Sequence, residues 1–136
     1  TEKIGNPAIE DKERYIHELA EYIADQRITI EVCLTSNLQT NPALRCLAEH
    51  PVRRMLESKF SVSFCTDNRL VSRTTLCREI GLAVEHARLA PPDLRSCVYN
   101  GFKRAFMPCH YLEKREYVRK VIDYYESLEE QYGVSH

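Results

Sequence analysis

The sequence predicts an α/β fold in which two parallel strands form part of a larger sheet. Segments with helical spacing alternate with two short, apolar and partly β-branched segments that predict strands. These strands start near Ile28 and Ser61, and a separation of about 30 residues is typical of one strand–helix–strand crossover between parallel neighbours. Two parallel strands cannot make a covered sheet alone, so we expect the remaining strands to lie outside these 136 residues.

The first part of the chain predicts a helix, a strand and two further helical segments. Residues 11–25 have the apolar spacing of an amphipathic helix, and residues 28–33 predict the first strand. Residues 35–37 follow as a predicted loop. An Asn-Pro pair is typical of a helix start, so we expect a short helix over residues 42–49. After the next proline, a second helical segment is predicted over residues 52–56.

The middle of the chain predicts a second strand, a turn and an amphipathic helix. Residues 60–65 predict the second strand, and residues 66–68 turn out of it. Thr74 or Thr75 is placed to cap the next helix, whose apolar positions continue to Ala87.

Two more helices are predicted in the last third. After two prolines Asp93 should open a helix that ends before Pro108. A long helix is predicted from Tyr111 to Tyr132, where Gly133 is placed to end it. Its predicted buried side consists of apolar residues at helical spacing, namely Leu112, Val118, Val121, Ile122, Tyr125 and Leu128.

The composition excludes several classes of partner. Hydrophobic residues make up 43% and charged residues 29%, which is typical of a globular chain. A net charge of -1 argues against broad electrostatic binding of nucleic acid. No segment has the roughly 18 apolar residues that a membrane span needs, so no membrane partner is expected. The six cysteines form no Cys-x-x-Cys pair, which favours reduced thiols in a cytoplasmic protein over a structural zinc site.

Both predicted strands end in polar residues, and Asp67 follows the second strand almost directly. In a (β/α)8 barrel, which needs about 250 residues, functional side chains gather at the carboxyl ends of the strands. An aspartate at that place can bind a cation through oxygen. The position alone leaves a second interpretation open, in which Asp67 caps the following turn.

Four motifs resemble those of the adenosine deaminase family. Residues 30–40, IEVCLTSNLQT, resemble its seventh-strand motif, and residues 61–68, SVSFCTDN, resemble its eighth-strand motif. Residues 50–56 resemble the helix between them, and residues 100–106 resemble a later helix. The resemblance extends over residues 28–106 with matching spacing. It implies an α/β fold that forms the C-terminal part of a (β/α)8 TIM barrel, namely its last two strands and outer helices.

The resemblance implies that residues 1–136 are the C-terminal segment of a single metal-dependent hydrolase domain of the amidohydrolase superfamily. Its activity would be zinc-dependent hydrolytic deamination of adenosine, or a related 6-aminopurine nucleoside, to inosine and ammonia. Asp67 would be the aspartate ligand of a catalytic Zn2+ ion, which activates water for attack on the purine. The N-terminal barrel strands are expected outside this chain and would supply three histidine ligands, a further histidine and the general-acid glutamate.

Asn68 stands where most family members carry a second aspartate that binds the purine ring. The resemblance therefore implies a substrate-binding role for Asn68, but a carboxamide cannot carry the negative charge. This difference leaves the substrate open, with an activity like that of aminodeoxyfutalosine deaminases as one alternative. The chain has no His-x-His motif, and none of its histidines matches a family zinc or catalytic position; they are His17, His50, His86, His110 and His136.

Two other interpretations remain open at this point. The tyrosine-rich helices from Thr75 onward could form a non-catalytic helical interaction module or an inactive segment. The chain could also belong to a different (β/α)8 metal hydrolase with a similar final strand. A dinucleotide-binding fold is excluded because no Gly-x-Gly-x-x-Gly follows either strand. Catalysis by Cys33 or Cys65 lacks a partner base that the sequence would reveal.

Overall fold

A computed structural model describes residues 5–6 and 8–134, in which two strands are accompanied by α-helices of four to 22 residues and a 3-10 helix of three residues. In chain order the elements are α1 (Lys12–Asp25), β1 (Thr29–Val32), α2 (Leu34–Thr40), a 3-10 helix (Leu47–Glu49), α3 (Val52–Glu57), β2 (Ser61–Phe64), α4 (Arg69–Ser72), α5 (Leu76–Ala87), α6 (Pro91–Arg104) and α7 (Tyr111–Tyr132). The alternation of helices and strands agrees with the predicted α/β class.

The two strands are parallel neighbours, as their spacing predicts. Their register runs from Thr29 opposite Ser61 to Val32 opposite Phe64. The hydroxyl oxygens of Thr29 and Ser61 lie 2.8 Å apart at the start of the pair. Because the two strands begin and end level with each other, the residues that follow their carboxyl ends emerge side by side. This alignment places the predicted site residues at one edge of the sheet.

The core lies between the two strands and the helices that cover them. Helix α6 packs on β2, and α5 packs near α2 and the 3-10 helix. The buried cluster is apolar, consisting of Val32, Leu34, Val52, Val62, Ala83, Ala87, Leu89 and Cys97. Burial of such side chains stabilises the fold by about 1.5–3 kcal/mol for each large residue.

Helix α7 packs on α6 through a charged pair and an aromatic contact. Arg95 Nε donates to Glu129 Oε1 over 3.2 Å, and Arg95 Nη2 lies 2.8 Å from Oε2 in the same ion pair. The rings of Tyr99 and Tyr125 meet edge to face with centroids 5.5 Å apart. These contacts involve the inner face of α7, where Val118 is buried.

Most predicted helix ends are confirmed. The Thr75 hydroxyl accepts a hydrogen bond from the Arg78 N–H (3.2 Å) and so caps α5. Gly133 ends α7 in a left-handed conformation with φ of 63°. Helix α6 begins at Pro91, two residues before the predicted start, because Asp93 accepts the Ala90 N–H (3.2 Å) from inside the first turn.

Three local predictions are wrong. Residues 35–37 were expected to form a loop but lie in helix α2. The predicted helix over residues 42–49 is reduced to the 3-10 turn Leu47–Glu49, because Asn41 ends α2 instead of starting a helix. Leu112 is 68% exposed, so it does not belong to the buried side of α7.

Helix α1 has the predicted amphipathic spacing, but none of its residues is fully buried. Its apolar side chains include Ile16 and Leu19, which are 40% and 43% exposed. A cleft of about 910 Å³ separates α1 from the start of β2 and from α6. This cleft lies at the amino ends of the strands, opposite the end at which Asp67 follows β2.

Within the described part of the chain, no helix is long and apolar enough to cross a membrane.

Candidate metal centre

Asp67 lies in the turn that follows β2, and its carboxylate is held on one side. Ser36 Oγ donates a hydrogen bond to Asp67 Oδ2 over 2.7 Å. The backbone of Asp67 is left-handed, with φ of 52°. The side chain is exposed, and no hydrogen bond to Oδ1 is made by the described residues. One carboxylate oxygen is therefore oriented by the protein, and the other is accessible to a cation.

Asn68 is the N-cap of helix α4. Its Oδ1 accepts hydrogen bonds from the backbone N–H groups of Leu70 and Val71, each over 3.2 Å. The alternative in which Asp67 caps this turn is therefore wrong, because Asn68 performs that role. The Nδ2 group of Asn68 carries two N–H donors that the cap does not use. A substrate-binding role for Asn68 remains a prediction, and it would involve this nitrogen.

Three consecutive residues after β1, in the Thr-Ser-Asn segment, each form a hydrogen bond to a different part of the chain. Thr35 donates to Glu79 in α5, and Ser36 donates to Asp67 after β2. The Asn37 side chain contacts His50, which precedes α3. These hydrogen bonds bring the first turn of α2 into a defined position beside Asp67.

His50 is buried and holds the Asn37 side chain in place. Its Nδ1 accepts the Val52 N–H over 3.1 Å, so the proton of the neutral ring resides on Nε2. That Nε2 donates to Asn37 Oδ1 over 3.1 Å. Burial lowers the pKa of His50 below its ordinary value of 6.5. His50 is therefore a neutral structural residue near pH 7, which agrees with its lack of a match to family catalytic positions.

Glu79 is fully buried and was not singled out from the sequence. Its Oε2 accepts the Thr35 N–H over 3.1 Å. Its Oε1 accepts the hydroxyl of Thr74 over 2.6 Å and also the hydroxyl of Thr35. The sequence offers one indication that Glu79 is buried, which is its spacing. Glu79, Ala83 and Ala87 follow one another at intervals of four residues and so share one helix face, and the structure buries all three.

Cys33 and Cys65 follow the two paired strands, and their sulfur atoms lie 2.7 Å apart. Burial, followed by the hydrogen bond with Cys65, raises the pKa of Cys33 to about 12. A thiol with this pKa remains protonated near pH 7 and is a poor nucleophile. This arrangement argues against catalysis by Cys33.

The described residues provide one candidate metal ligand rather than a complete centre. They contain no group of three or more His, Cys, Asp or Glu side chains that could hold a metal ion. His17 pairs with Glu21 on the surface of α1 (3.4 Å), and His136 lies outside the described residues. Zinc prefers histidine nitrogen, cysteine sulfur and carboxylate oxygen as ligands. The oriented carboxylate of Asp67 fits such an ion as one ligand, and the other ligands have to come from elsewhere.

Comparison with known proteins identifies the family. The family described as adenosine deaminase matches residues 3–124. The adenosine deaminase of Mycobacteroides abscessus is 37% identical over 98 residues, which are 72% of this chain and 27% of that protein. Adenosine deaminase 1 of Streptomyces coelicolor is 38% identical over 99 residues, which are 73% of this chain and 25% of that protein. The chain therefore spans about a quarter of the length of these relatives.

Solved structures show the same fold. The adenine deaminase of Arthrobacter aurescens superimposes with a TM-score of 0.69 at 18% identity, over 88% of this chain and 34% of that chain. The N6-mAMP deaminase of Arabidopsis superimposes with a TM-score of 0.64 at 24% identity, over 83% of this chain and 31% of that chain. The predicted resemblance is thus confirmed in sequence and in fold, and the chain belongs to the adenosine deaminase family.

Proposed function

We propose that this chain is the C-terminal segment of a zinc-dependent enzyme that deaminates adenosine, or a related 6-aminopurine nucleoside, with release of ammonia. The observation that carries the proposal is the carboxylate of Asp67, which Ser36 orients at the carboxyl end of β2. Family membership and the names of the relatives support the same reaction. The proposal includes a (β/α)8 barrel completed by an N-terminal portion, and a cytoplasmic location in which the six free cysteines stay reduced.

In this proposal the carboxylate of Asp67 would hold Zn2+, while Oδ2 keeps its hydrogen bond to Ser36. Zinc, when bound, supplies an activated water that is nucleophilic near neutral pH. Ser36 contributes by fixing the plane of the Asp67 carboxylate, as outer partners of metal ligands commonly do. The N-terminal portion of the barrel supplies the remaining ligands and the general acid.

The side-chain nitrogen of Asn68 is proposed to donate to the purine. The neighbouring oxygen is engaged in the α4 cap, so the nitrogen has a fixed direction. An uncharged donor suits a ring nitrogen with a lone pair, whereas an aspartate at this position would need a protonated partner. The identity of the residue at position 68 is therefore expected to influence which 6-aminopurine is accepted.

The test uses the complete barrel that contains this chain. The protein is depleted of metal with a chelator. Before and after adding zinc, ammonia release is then measured with adenosine, adenine and aminodeoxyfutalosine, and methylamine release is measured with N6-methyl-AMP. The proposal expects zinc to restore turnover, with adenosine or another 6-aminopurine nucleoside as the best substrate. Absence of turnover on every substrate would contradict it. A stable protein that neither binds zinc nor turns over would instead support the non-catalytic interaction module.

A further inference from the structure

Glu79 is a buried carboxylate that the proposed reaction does not use directly. It is 0% exposed and lies on the face of α5 that also buries Ala83 and Ala87. Burying a carboxylate is unfavourable unless hydrogen bonds satisfy it, and a methionine or leucine would fill the same space without that penalty. The three hydrogen bonds to Glu79 therefore indicate a role in geometry rather than in packing alone.

The geometry that Glu79 controls is the start of helix α2. The N-cap residue of α2 is Cys33, and its side chain makes no capping hydrogen bond. Glu79 Oε2 accepts the Thr35 N–H from a position 44 residues along the chain, and so performs the capping role that Cys33 does not. Negative charge at a helix N-terminus is also electrostatically favourable.

The capped turn of α2 contains the residue that hydrogen-bonds to the candidate metal ligand. Thr35 is followed by Ser36, whose hydroxyl donates to Asp67 Oδ2 over 2.7 Å. Ser36 is itself buried, so its direction is set by the backbone of α2. Thr74, which donates to Glu79 over 2.6 Å, lies between α4 and α5 and ties the carboxylate to the segment that follows Asp67.

We propose that Glu79 is a positioning residue of the metal centre. It holds the first turn of α2 so that Ser36 orients the carboxylate of Asp67 toward the metal. This inference rests on the proposed function, in which Asp67 is a zinc ligand. It predicts that removing the Glu79 carboxylate lowers zinc affinity through Ser36, without any contact between Glu79 and the metal.

The test measures the affinity of the metal-depleted complete barrel for zinc alone, by competition with a chromophoric chelator. Glu79→Met removes the acceptors at similar volume and is expected to weaken zinc binding by about 10–100-fold, the usual effect of losing an outer partner of a ligand. Glu79→Gln is expected to stay within about threefold of the wild type, because its oxygen accepts the Thr35 N–H while the threonine hydroxyls can accept from its nitrogen. Glu85→Met, at an exposed site on the same helix, is the matched control and should leave the affinity unchanged.

The decisive comparison is a double-mutant cycle with Ser36→Ala. If Glu79 acts through Ser36, Glu79→Met should weaken zinc binding much less in the Ser36→Ala background than in the wild type. Additive effects, or a Glu79→Met protein with reduced thermal stability and unchanged zinc affinity, would overturn the inference and leave the proposed function standing. A wild-type protein that binds no zinc would overturn both.

A milder variant keeps the inference testable if Glu79→Met does not fold. Thr35→Val removes one of the donors to Glu79 and retains the backbone N–H. It should weaken zinc binding severalfold in the wild type and hardly at all in the Ser36→Ala background. Equal losses in the two backgrounds would overturn the inference.

Discussion

The hydroxyl of Ser36 donates to Asp67 Oδ2 over 2.7 Å and joins the residues that follow two neighbouring parallel strands. This contact depends on the strand register, in which Val32 lies opposite Phe64 and both strands end at the same level. A shift of one residue in that register would separate the two side chains and turn alternate residues to the other face of the sheet. The parallel pair therefore does more than support the helices, because it sets the orientation of the candidate ligand.

Replacing Asp67 should abolish zinc binding and turnover. Asp67→Asn keeps the shape and tolerates the left-handed backbone but removes the charge proposed to bind the cation. We expect zinc content and kcat to fall by at least about 100-fold, measured by elemental analysis and ammonia release. Asp67→Ala should give the same result. Asp123→Asn in the exposed face of α7 is the control, and full activity with full zinc in either Asp67 variant would show that the ligand is misassigned.

Replacing Asn68 should weaken substrate binding while zinc is retained. Asn68→Ala removes the nitrogen proposed to bind the purine and also the cap of α4, which is worth about 1 kcal/mol. Asn68→Ser keeps a capping oxygen but lacks the side-chain nitrogen, so a rise in KM in both variants would separate substrate binding from capping. The measurements are KM for adenosine, zinc content and thermal stability. Loss of the metal in Asn68→Ala would show that its role is different.

Acid should destabilise the protein through His50. Burial lowers the folded-state pKa of His50, so the unfolded state binds the proton more readily. The contribution of His50 is therefore fully present above its ordinary pKa of 6.5 and is lost as the pH falls through the lower folded-state pKa. Urea unfolding measured between pH 8 and pH 5 should show this loss. His50→Gln should reduce the pH dependence, and an unchanged profile in this variant would contradict the assignment.

Neutralising Glu129 should loosen the packing of α7 on α6. Glu129 is buried and forms an ion pair with Arg95, whose Nε donates to Oε1, so Glu129→Gln removes the negative charge from this pair. We expect a loss of about 2 kcal/mol in the free energy of unfolding, measured with urea. Glu130→Gln changes an exposed neighbour on the same helix and should have almost no effect. Equal stability of the two variants would show that the pair does not hold the helices together.

Elements with strong local signals were predicted well. Helix α7 has a long apolar stripe and a glycine at its end, and it runs from Tyr111 to Tyr132 as expected. Helix α2 was missed because Thr, Ser and Asn disfavour helix interiors, and its stability comes from buried Leu34 and from Glu79, which are contributions of tertiary structure. No local pattern within α2 reveals a capping carboxylate that lies 44 residues away.

The candidate site was also predictable only in part, because some of its contacts join residues that are distant in the sequence. Asp67 and Asn68 follow a strand directly, and their motif carries a family resemblance, so both could be named from the sequence. Ser36 was known as part of a motif, but its hydrogen bond to Asp67 depends on a parallel pairing that joins residues 31 positions apart. His50 and Glu79 support the site from other elements, and their roles emerge only when the helices are packed.

The left-handed backbone of Asp67, with φ of 52°, has a consequence for engineering this protein. Side chains other than glycine disfavour this conformation by about 1 kcal/mol or more, although aspartate tolerates it better than most. Strain of this kind is typical of functional positions, where activity and thermostability make opposing demands. A glycine would adopt the same backbone freely and would remove the carboxylate. Thermostabilisation guided only by backbone preference would thus replace the residue on which the proposed reaction depends.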